Sequence, residues 1–166
     1  MHHIKLCTLG DSQKVEYVLL ASWLAKSKQE AYESFIDEMK KGDQYFLAED
    51  WDQALGIVSG KTEWRPRHGL YELYHIWVVS EAKWTWLAQE LFDTLVNHAL
   101  ELYRKQWQHL RKLYLKTGEQ NTWAHRFYKK MGMRQTDHLT SHFAQWRREL
   151  IFDLFFDETW NSIPWD

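Results

Sequence analysis

The sequence predicts a mixed α/β fold, organised as a single domain over residues 1–166. Segments rich in alternating or β-branched apolar residues are interleaved with segments whose apolar residues recur every three or four positions, which are the patterns of strands and helices. The two patterns meet in the stretch 70–88, where the aromatic strand Tyr71–Val79 leads directly into a helix. A chain of 166 residues can bury one full-sized core, and no repeat or low-complexity segment indicates a second domain.

The composition excludes several classes of protein. A formal net charge of −2 gives no reason to expect nucleic acid or an anionic membrane as the main partner, and no apolar run approaches the roughly 20 residues of a membrane span. Cys7 is the only cysteine, so an internal disulfide is impossible and a reducing, cytoplasmic location is expected. The nine histidines lack the spacing of zinc ligands, so no metal is expected. The chain is tryptophan-rich, and its eleven indoles favour an aromatic core or aromatic-lined surfaces.

The N-terminal part of the chain predicts one strand, two helices and a β-hairpin. Apolar residues recur at helical spacing in two segments, and the second helix is expected to end at Gly42, because glycine is favoured just after helix C-termini. A polar segment, 50–53, separates two short apolar runs and predicts the hairpin turn. The predicted elements are a strand over His3–Leu9, helices over Gln13–Ala25 and Glu30–Lys41, and strands over Tyr45–Glu49 and Leu55–Ser59.

The C-terminal part predicts a long amphipathic helix, a second helix and the remaining strands. The long helix runs from about Trp84 to Tyr103, because leucines recur along one of its faces. The other predicted elements are a strand over Leu110–Lys116, a helix that begins near Asn121 and ends at Gly132, and final strands within Gln145–Phe156. Residues 157–166 form a tail with no clear pattern.

The junction between the central strand and the long helix predicts an anion-binding site. A strand that runs directly into a helix N-terminus leaves several backbone N–H groups unpaired, here around Lys83 to Ala88. These groups and the helix dipole together attract a phosphate or another anion.

Two motifs carry a resemblance to a known family. Segment 72–88 has the pattern E-L-x-x-I-x-V-x-x-E-x-K-x-x-x-L-A, which resembles the central strand and pyrophosphate loop of the GNAT superfamily of acyl-CoA-dependent N-acyltransferases. Segment 121–133 is similar to that family's Asn-x-x-Ala-x-x-Phe-Tyr-x-x-x-Gly-Phe motif, with Met133 at the last position. The family's loop normally reads Arg/Gln-x-x-Gly-x-Gly/Ala; Lys83, Trp86 and Ala88 hold its specified positions, and Trp84 fills a place often taken by glycine. The resemblance covers residues 4–156 and leaves the tail outside.

The resemblance implies a mixed, twisted and mostly antiparallel sheet flanked by helices, and acetyl-CoA as the co-substrate. The central strand would splay near its end, so that pantetheine pairs with its edge and a freed N–H near Val78 or Val79 bonds the thioester oxygen. The two bulky indoles of the loop could point away from the cofactor, stack on its adenine or fill the groove. The implied cofactor-binding residues are Trp77, Val78, Val79, Lys83, Trp84, Thr85, Trp86, Leu87, Ala88, Asn121, Ala124 and Tyr128.

Tyr128 and Glu72 are the implied catalytic residues. Tyr128 would protonate the coenzyme A thiolate, and the alternative is an amphipathic tyrosine at a helix edge. Glu72 would act as the general base, and the alternative is a salt-bridged strand residue. Asn121 would bond the cofactor, cap its helix, or do both. His75 and His125 are reserve candidates for the base, although structural roles are favoured for both.

The expected function is acetyl-CoA-dependent N-acetylation of a primary amine by direct transfer. The alternative is a catalytically silent module of the same fold that binds a protein or a regulatory ligand. The expected acceptor is a small-molecule or peptide amine, and neither nucleic acid nor a membrane is an expected partner. Exposed aromatic residues expected in the last strands are compatible with a homodimer.

Overall fold

The structure is a computed structural model that describes residues 2–63, 65–82 and 86–164. The helices are α1 (Ser12–Ala21), α2 (Lys28–Lys40), α3 (Leu87–Lys105) and α4 (Thr122–Lys130). The strands are β1 (His3–Leu6), β2 (Gln44–Asp50), β3 (Gln53–Thr62), β4 (Leu70–Val78), β5 (Lys112–Gly118), β6 (Arg134–Thr140) and β7 (Arg148–Phe155). The chain forms two compact units, Met1–Thr62 with Leu73–His98 and Glu63–Glu72 with Ala99–Asp166.

The strands form one mixed sheet in the hydrogen-bonded order β1-β2-β3-β4-β5-β7-β6. β1 pairs with β2, and β2 with β3, in antiparallel ladders. In the second unit the first residues of β4, Leu70–Glu72, pair in parallel with Lys112–Tyr114 of β5. β7 then runs antiparallel to both β5 and β6. The predicted mixed α/β class is therefore confirmed.

The first unit buries the apolar faces of α1 and α2 together with its strands. Val15 and Val18 of α1 and Phe35 of α2 are completely buried, and the Phe35 ring meets the Tyr45 ring edge-on at 5.1 Å between centroids. Every residue from Tyr45 to Glu49 is buried, which fits a strand inside a sheet with both faces covered. The second unit has its own core, centred on the fully buried Tyr71, Leu113 and Phe152.

Several sequence expectations about elements differ from the structure. Final strands were expected within 145–156, and one named strand, β7, lies there. The strand over residues 3–9 is shorter, because a single turn of 3-10 helix occupies Leu9–Asp11. β6 was not predicted at all. Six of its seven residues are exposed, and it pairs only with β7, so it has neither the alternation nor the apolar content that marks a strand in the sequence. The predicted hairpin, the central strand, the helix from Asn121 and the helix end at Gly42 are confirmed.

Candidate active site

The end of β4 lies in the first unit and carries three of the predicted cofactor-binding residues, Trp77, Val78 and Val79. The N–H of Val79 donates a hydrogen bond to the carbonyl oxygen of Leu55, at 2.9 Å. This bond corrects the expectation for Val79, because its N–H is engaged with β3 and is not free for a thioester. Successive backbone N–H groups of a strand point to opposite sides, so the N–H of Val78 points away from β3. Val78 therefore remains as the predicted donor.

The junction between β4 and α3 is described on either side of the predicted anion loop. A 3-10 turn follows β4 at Ser80–Ala82, and α3 begins at Leu87, whose side chain is buried. The predicted residues Lys83, Trp84 and Thr85 lie outside the described residues. At the start of the helix the N–H of Glu90 donates a hydrogen bond to the carbonyl oxygen of Trp86, at 3.0 Å. The anion site at this end of α3 therefore stays a prediction.

Helix α4 presents the predicted residues of the second motif in the second unit. The side chain of Asn121 caps the helix by accepting a hydrogen bond from the N–H of Ala124, at 3.3 Å. Ala124 and Tyr128 are buried, one turn apart on the same face. His125 also lies next to this face, where its Nε2 is 3.0 Å from the carbonyl oxygen of Gly118. That contact, and stacking on Phe152, give His125 a structural role.

The Tyr128 hydroxyl is in a strongly desolvated position. The side chain is 7% exposed and packs against the rings of Phe127 and Phe152. Burial raises the pKa of Tyr128 well above its ordinary value, because a phenolate would lose its hydration there. At neutral pH the group is therefore a permanent O–H donor, which suits an interaction with a developing thiolate.

Glu72 lies in the second unit and is held by an ion pair. Its carboxylate is 3% exposed, and its Oε1 is 2.8 Å from the Nζ of Lys116. Tyr114 lies directly across from Glu72 in the parallel ladder. Burial, and next the negative charge of Glu72, raise the pKa of Tyr114. The salt-bridged alternative weighed from the sequence is thus present in the structure, and the role of Glu72 as a base stays a prediction.

Lys116 and Tyr114 are site residues that the sequence analysis missed. Both face the same side of β5 because they alternate with the buried Leu113 and Leu115. That alternation was visible in the sequence and could have shown that the two polar side chains share a face. Their proximity to Glu72 could not be found in the same way, because the pairing of β4 with β5 joins residues far apart in the chain.

Other titratable groups near the predicted positions have structural roles. The Nε2 of His75 is 3.5 Å from Glu38, and its ring packs between those of Tyr45 and Tyr74. Burial raises the pKa of Cys7 to about 12, so its thiol is a poor nucleophile. Within the described residues no group of three or more His, Cys, Asp or Glu could hold a metal ion. In the same part of the chain, no helix is long and apolar enough to cross a membrane.

Comparisons with known proteins identify the fold. Among solved structures, the chain is similar to an N-acetyltransferase from Staphylococcus aureus Mu50, with a TM-score of 0.74, 15% identity and coverage of 93% of this chain and 98% of that one. It is also similar to yncA from Salmonella typhimurium, solved with its cofactor acetyl-CoA, with a TM-score of 0.72, 14% identity and coverage of 99% and 98%. A third similar structure is the spermidine/spermine N-acetyltransferase SpeG from Vibrio cholerae, with a TM-score of 0.70, 18% identity and coverage of 93% and 92%. None of the curated protein sequences matches the chain.

The family follows from the sequence match. The model of the acetyltransferase (GNAT) family matches residues 12–133, which is well over half of the chain and includes the strand–helix junction and the second motif. The resemblance and the fold expected from it are therefore confirmed. The chain belongs to the acetyltransferase (GNAT) family, and it is an N-acetyltransferase of this type.

Proposed function

We propose that the protein transfers an acetyl group directly from acetyl-CoA to a primary amine of a small molecule or peptide. The observation that carries this proposal is the intact second motif, which folds as a capped helix with a buried, protonated Tyr128. A helix kept in this form supports a working cofactor site, because a silent module would not need a desolvated hydroxyl. The family membership supports the same reaction class.

The proposed cofactor contacts are those that the family resemblance implies. The edge of β4 near Trp77, Val78 and Val79 pairs with pantetheine, and the N–H of Val78 polarises the thioester carbonyl. The main-chain N–H groups of residues 83–88, from Lys83 to Ala88, hold the diphosphate at the start of α3, with Lys83 adding a positive charge. Asn121 and Ala124 line the helix face that carries Tyr128. No metal takes part in this proposal.

The proposed chemistry conserves protons between the two substrates. A neutral amine nitrogen forms a bond with the acetyl carbon, and the carbon–sulfur bond breaks. The proton lost by the amine passes to the carboxylate of Glu72, and the departing thiolate takes the proton of Tyr128. Both groups then return to their resting states by exchange with solvent. The ion pair with Lys116 supports the role of Glu72 because it holds the carboxylate in a fixed position.

The proposal also includes a cellular location and an oligomeric state. A cytoplasmic location fits a chain with one buried cysteine and no disulfide, since acetyl-CoA is an intracellular metabolite. A homodimer is proposed on the exposed aromatic residue Phe143, which lies in the segment between β6 and β7.

The test begins with the wild-type protein and one conservative variant. Calorimetric titration with acetyl-CoA should show binding, and a panel of primary amines should release coenzyme A. Tyr128→Phe should lower kcat by about 10- to 100-fold, which is the value of one hydrogen bond to a charged group, and should leave acetyl-CoA binding nearly unchanged. Tyr17→Phe, at an exposed tyrosine of α1, is the matched control. Absence of acetyl-CoA binding would refute the proposal, and equal kcat in Tyr128→Phe would remove Tyr128 from the mechanism.

A further inference from the structure

A buried carboxylate that the mechanism does not use lies on β7. Glu149 is 5% exposed, and its Oε2 has no hydrogen-bond partner among the described residues. Buried carboxylate oxygens in folded proteins are almost always paired, because leaving one without a donor has a large desolvation cost. An oxygen in this state can accept a hydrogen bond from a donor that arrives from outside the chain.

The strand register places Glu149 on the face that carries Glu72. Glu149 lies directly across from Gly118 of β5, and side chains of directly opposed residues project to the same face. Gly118 follows Tyr114 and Lys116 at intervals of two, so all of these positions share one face of β5. Lys116 is engaged with Glu72, at 2.8 Å, and not with Glu149.

The strand position across the ladder from Glu149 is open, although the Glu149 carboxylate itself is buried. A Cβ atom added at Gly118 would meet no heavy atom within 4 Å, so the position opposite Glu149 is open. The ring of Phe143 stands 6.0 Å from the Nζ of Lys116 and is 64% exposed, which adds an apolar wall to the same face. A negative group, an open space and an aromatic wall are the elements of a site for an organic cation.

We propose that Glu149 and the open space beside Gly118 form a binding site for the ammonium group of an amine. Resting on the proposed function, this ammonium group is a second, unreactive cation of the acetyl acceptor, and Glu149 determines the preference for positively charged acceptors. The Glu149 side chain turns toward the open position when the ligand binds, and the ammonium group then donates a hydrogen bond to Oε2.

Calorimetry with n-butylamine tests this site, both with and without acetyl-CoA. The wild type should bind n-butylamine and not n-butanol, and Glu149→Gln should weaken amine binding about tenfold or more, because a charge-assisted hydrogen bond is lost. Gly118→Val should weaken it as well by filling the open space while leaving the carboxylate in place. Glu119→Gln, which removes an exposed carboxylate next to Gly118, is the control and should bind as the wild type does.

The outcomes separate this inference from the proposed function. Failure of the wild type to bind acetyl-CoA refutes the transferase proposal. The amine titration still shows whether Glu149 binds an ammonium group. Amine binding that is unchanged in both Glu149→Gln and Gly118→Val overturns the site even if acetyl transfer is intact. Absence of amine binding to the wild type under both conditions overturns it too.

A second inference rests on backbone angles. Among the described residues, six that are not glycine have a positive φ, and five of the six are tryptophan. Four of these indoles are between 85% and 95% exposed, so burial does not explain their conformation. A residue with a side chain is destabilised in the left-handed backbone conformation, and glycine is not. The five are Trp23, Trp51, Trp107, Trp146 and Trp160.

The helix ends provide an internal comparison. All four helices end in the same pattern, in which the second residue after the helix has a positive φ and the N–H groups of this residue and the next bond back to the last turn. Glycine holds that residue after α2 and α4, at Gly42 and Gly132. Tryptophan holds it after α1 and α3, at Trp23 and Trp107. Glycine is the usual residue of this motif, and tryptophan has no property that suits it.

Tryptophan stands in place of glycine at two further locations in the chain. Trp51 has a φ of 55° and opens the two-residue turn between β2 and β3, where hairpins with a positive φ at the first turn residue use glycine. In the sequence, Trp84 and Trp86 stand where the family's loop has glycine. Glycine lets a backbone approach phosphate oxygens without an intervening side chain.

We infer that the five left-handed tryptophan positions are glycine in the protein as its own cell makes it. The codon UGA is read as tryptophan in one variant genetic code and as glycine in another, so one difference in decoding exchanges these two residues. The same decoding at Trp84 and Trp86 gives the loop the sequence Lys-Gly-Thr-Gly-Leu-Ala.

Peptide mass spectrometry of the protein from the cells that encode it decides this inference. Peptides that span the five positions should carry glycine, and tryptophan at these positions would overturn it. In recombinant protein, Trp107→Gly should raise the ratio of folded to unfolded molecules about tenfold, because the left-handed strain is removed. Trp107→Ala, which removes the indole and keeps the strain, should bring no such gain. Trp123→Gly, within α4, is the control and should lower the ratio. Equal stabilisation by all three variants would show that removal of left-handed strain is not the cause.

Discussion

The burial of the Tyr128 hydroxyl predicts how kcat depends on pH. Burial raises the pKa of Tyr128, so the protonated form persists to higher pH than it does for a tyrosine in water, whose pKa is about 10. Loss of the Tyr128 proton should therefore not limit kcat below about pH 10. A pH profile of coenzyme A release, measured with saturating substrates, checks this expectation. A basic limb below pH 10 that is present in the wild type and absent in Tyr128→Phe would contradict it.

The ion pair between Lys116 and Glu72 makes a prediction about stability. Lys116→Met leaves the carboxylate of Glu72 buried without its counter-ion, and the free energy of unfolding should fall by about 3 kcal/mol. Lys105→Met is a matched control, because Lys105 forms an ion pair of similar length with Glu101 on the exposed surface of α3. The control should lose no more than about 0.5 kcal/mol. Denaturant unfolding of both variants measures the difference, and equal losses would show that burial does not strengthen the first pair.

At the scale of residues, the sequence predicts side chains that belong to a local motif and misses those that meet across strands. Asn121 and Tyr128 lie seven positions apart on one helix, so their shared surroundings follow from helical spacing. Glu149 and Gly118 are brought together by the ladder between β5 and β7. That register is set by packing over the whole sheet, and no short stretch of sequence contains it.

The N-terminus of α4 allows the two proposed roles of Asn121 to be separated. Asn121→Ser keeps a side-chain oxygen that can cap the helix, so its stability should match the wild type while the KM for acetyl-CoA rises if Asn121 also bonds the cofactor. Asn121→Ala removes the cap as well and should lower the free energy of unfolding by about 1 kcal/mol. Thermal unfolding and steady-state kinetics on both variants measure the two effects. An unchanged KM in both variants would show that Asn121 caps the helix and does not bond the cofactor.

At the scale of elements, apolar periodicity predicts the buried helices and strands and fails at the sheet edge. α3 was predicted because its leucines mark one buried face, and it begins at Leu87, while the predicted start at Trp84 lies outside the described residues. β6 has one half-buried residue and is held by backbone hydrogen bonds to β7, which any sequence can make. Its polar side chains suit an edge strand, because they discourage pairing with another chain.

The whole molecule contains several charged groups that join elements, and the clearest set surrounds Glu49 in the first unit. Glu49 of β2 is 4% exposed, and its Oε2 is 2.6 Å from the Nζ of Lys14 of α1. Lys5 and His3 of β1 approach its Oε1, each at 3.1 Å. The hydrogen bond from Lys14 holds the pKa of Glu49 below its ordinary value, in spite of the burial that opposes ionisation. One carboxylate thus connects a helix to two strands.

This cluster should make the stability of the fold sensitive to acid. A lowered pKa contributes stability that is complete above the unfolded value, about 4.3, and is lost as the pH falls through the folded value. Glu49→Gln should therefore lower the free energy of unfolding by about 2 kcal/mol at pH 7, and its difference from the wild type should shrink below about pH 4.3. Glu101→Gln, at an exposed carboxylate, should differ little from the wild type at either pH. Denaturant unfolding at several pH values measures this, and a Glu49→Gln deficit that stays constant down to pH 3 would show that its cause is lost packing and not the charge of Glu49.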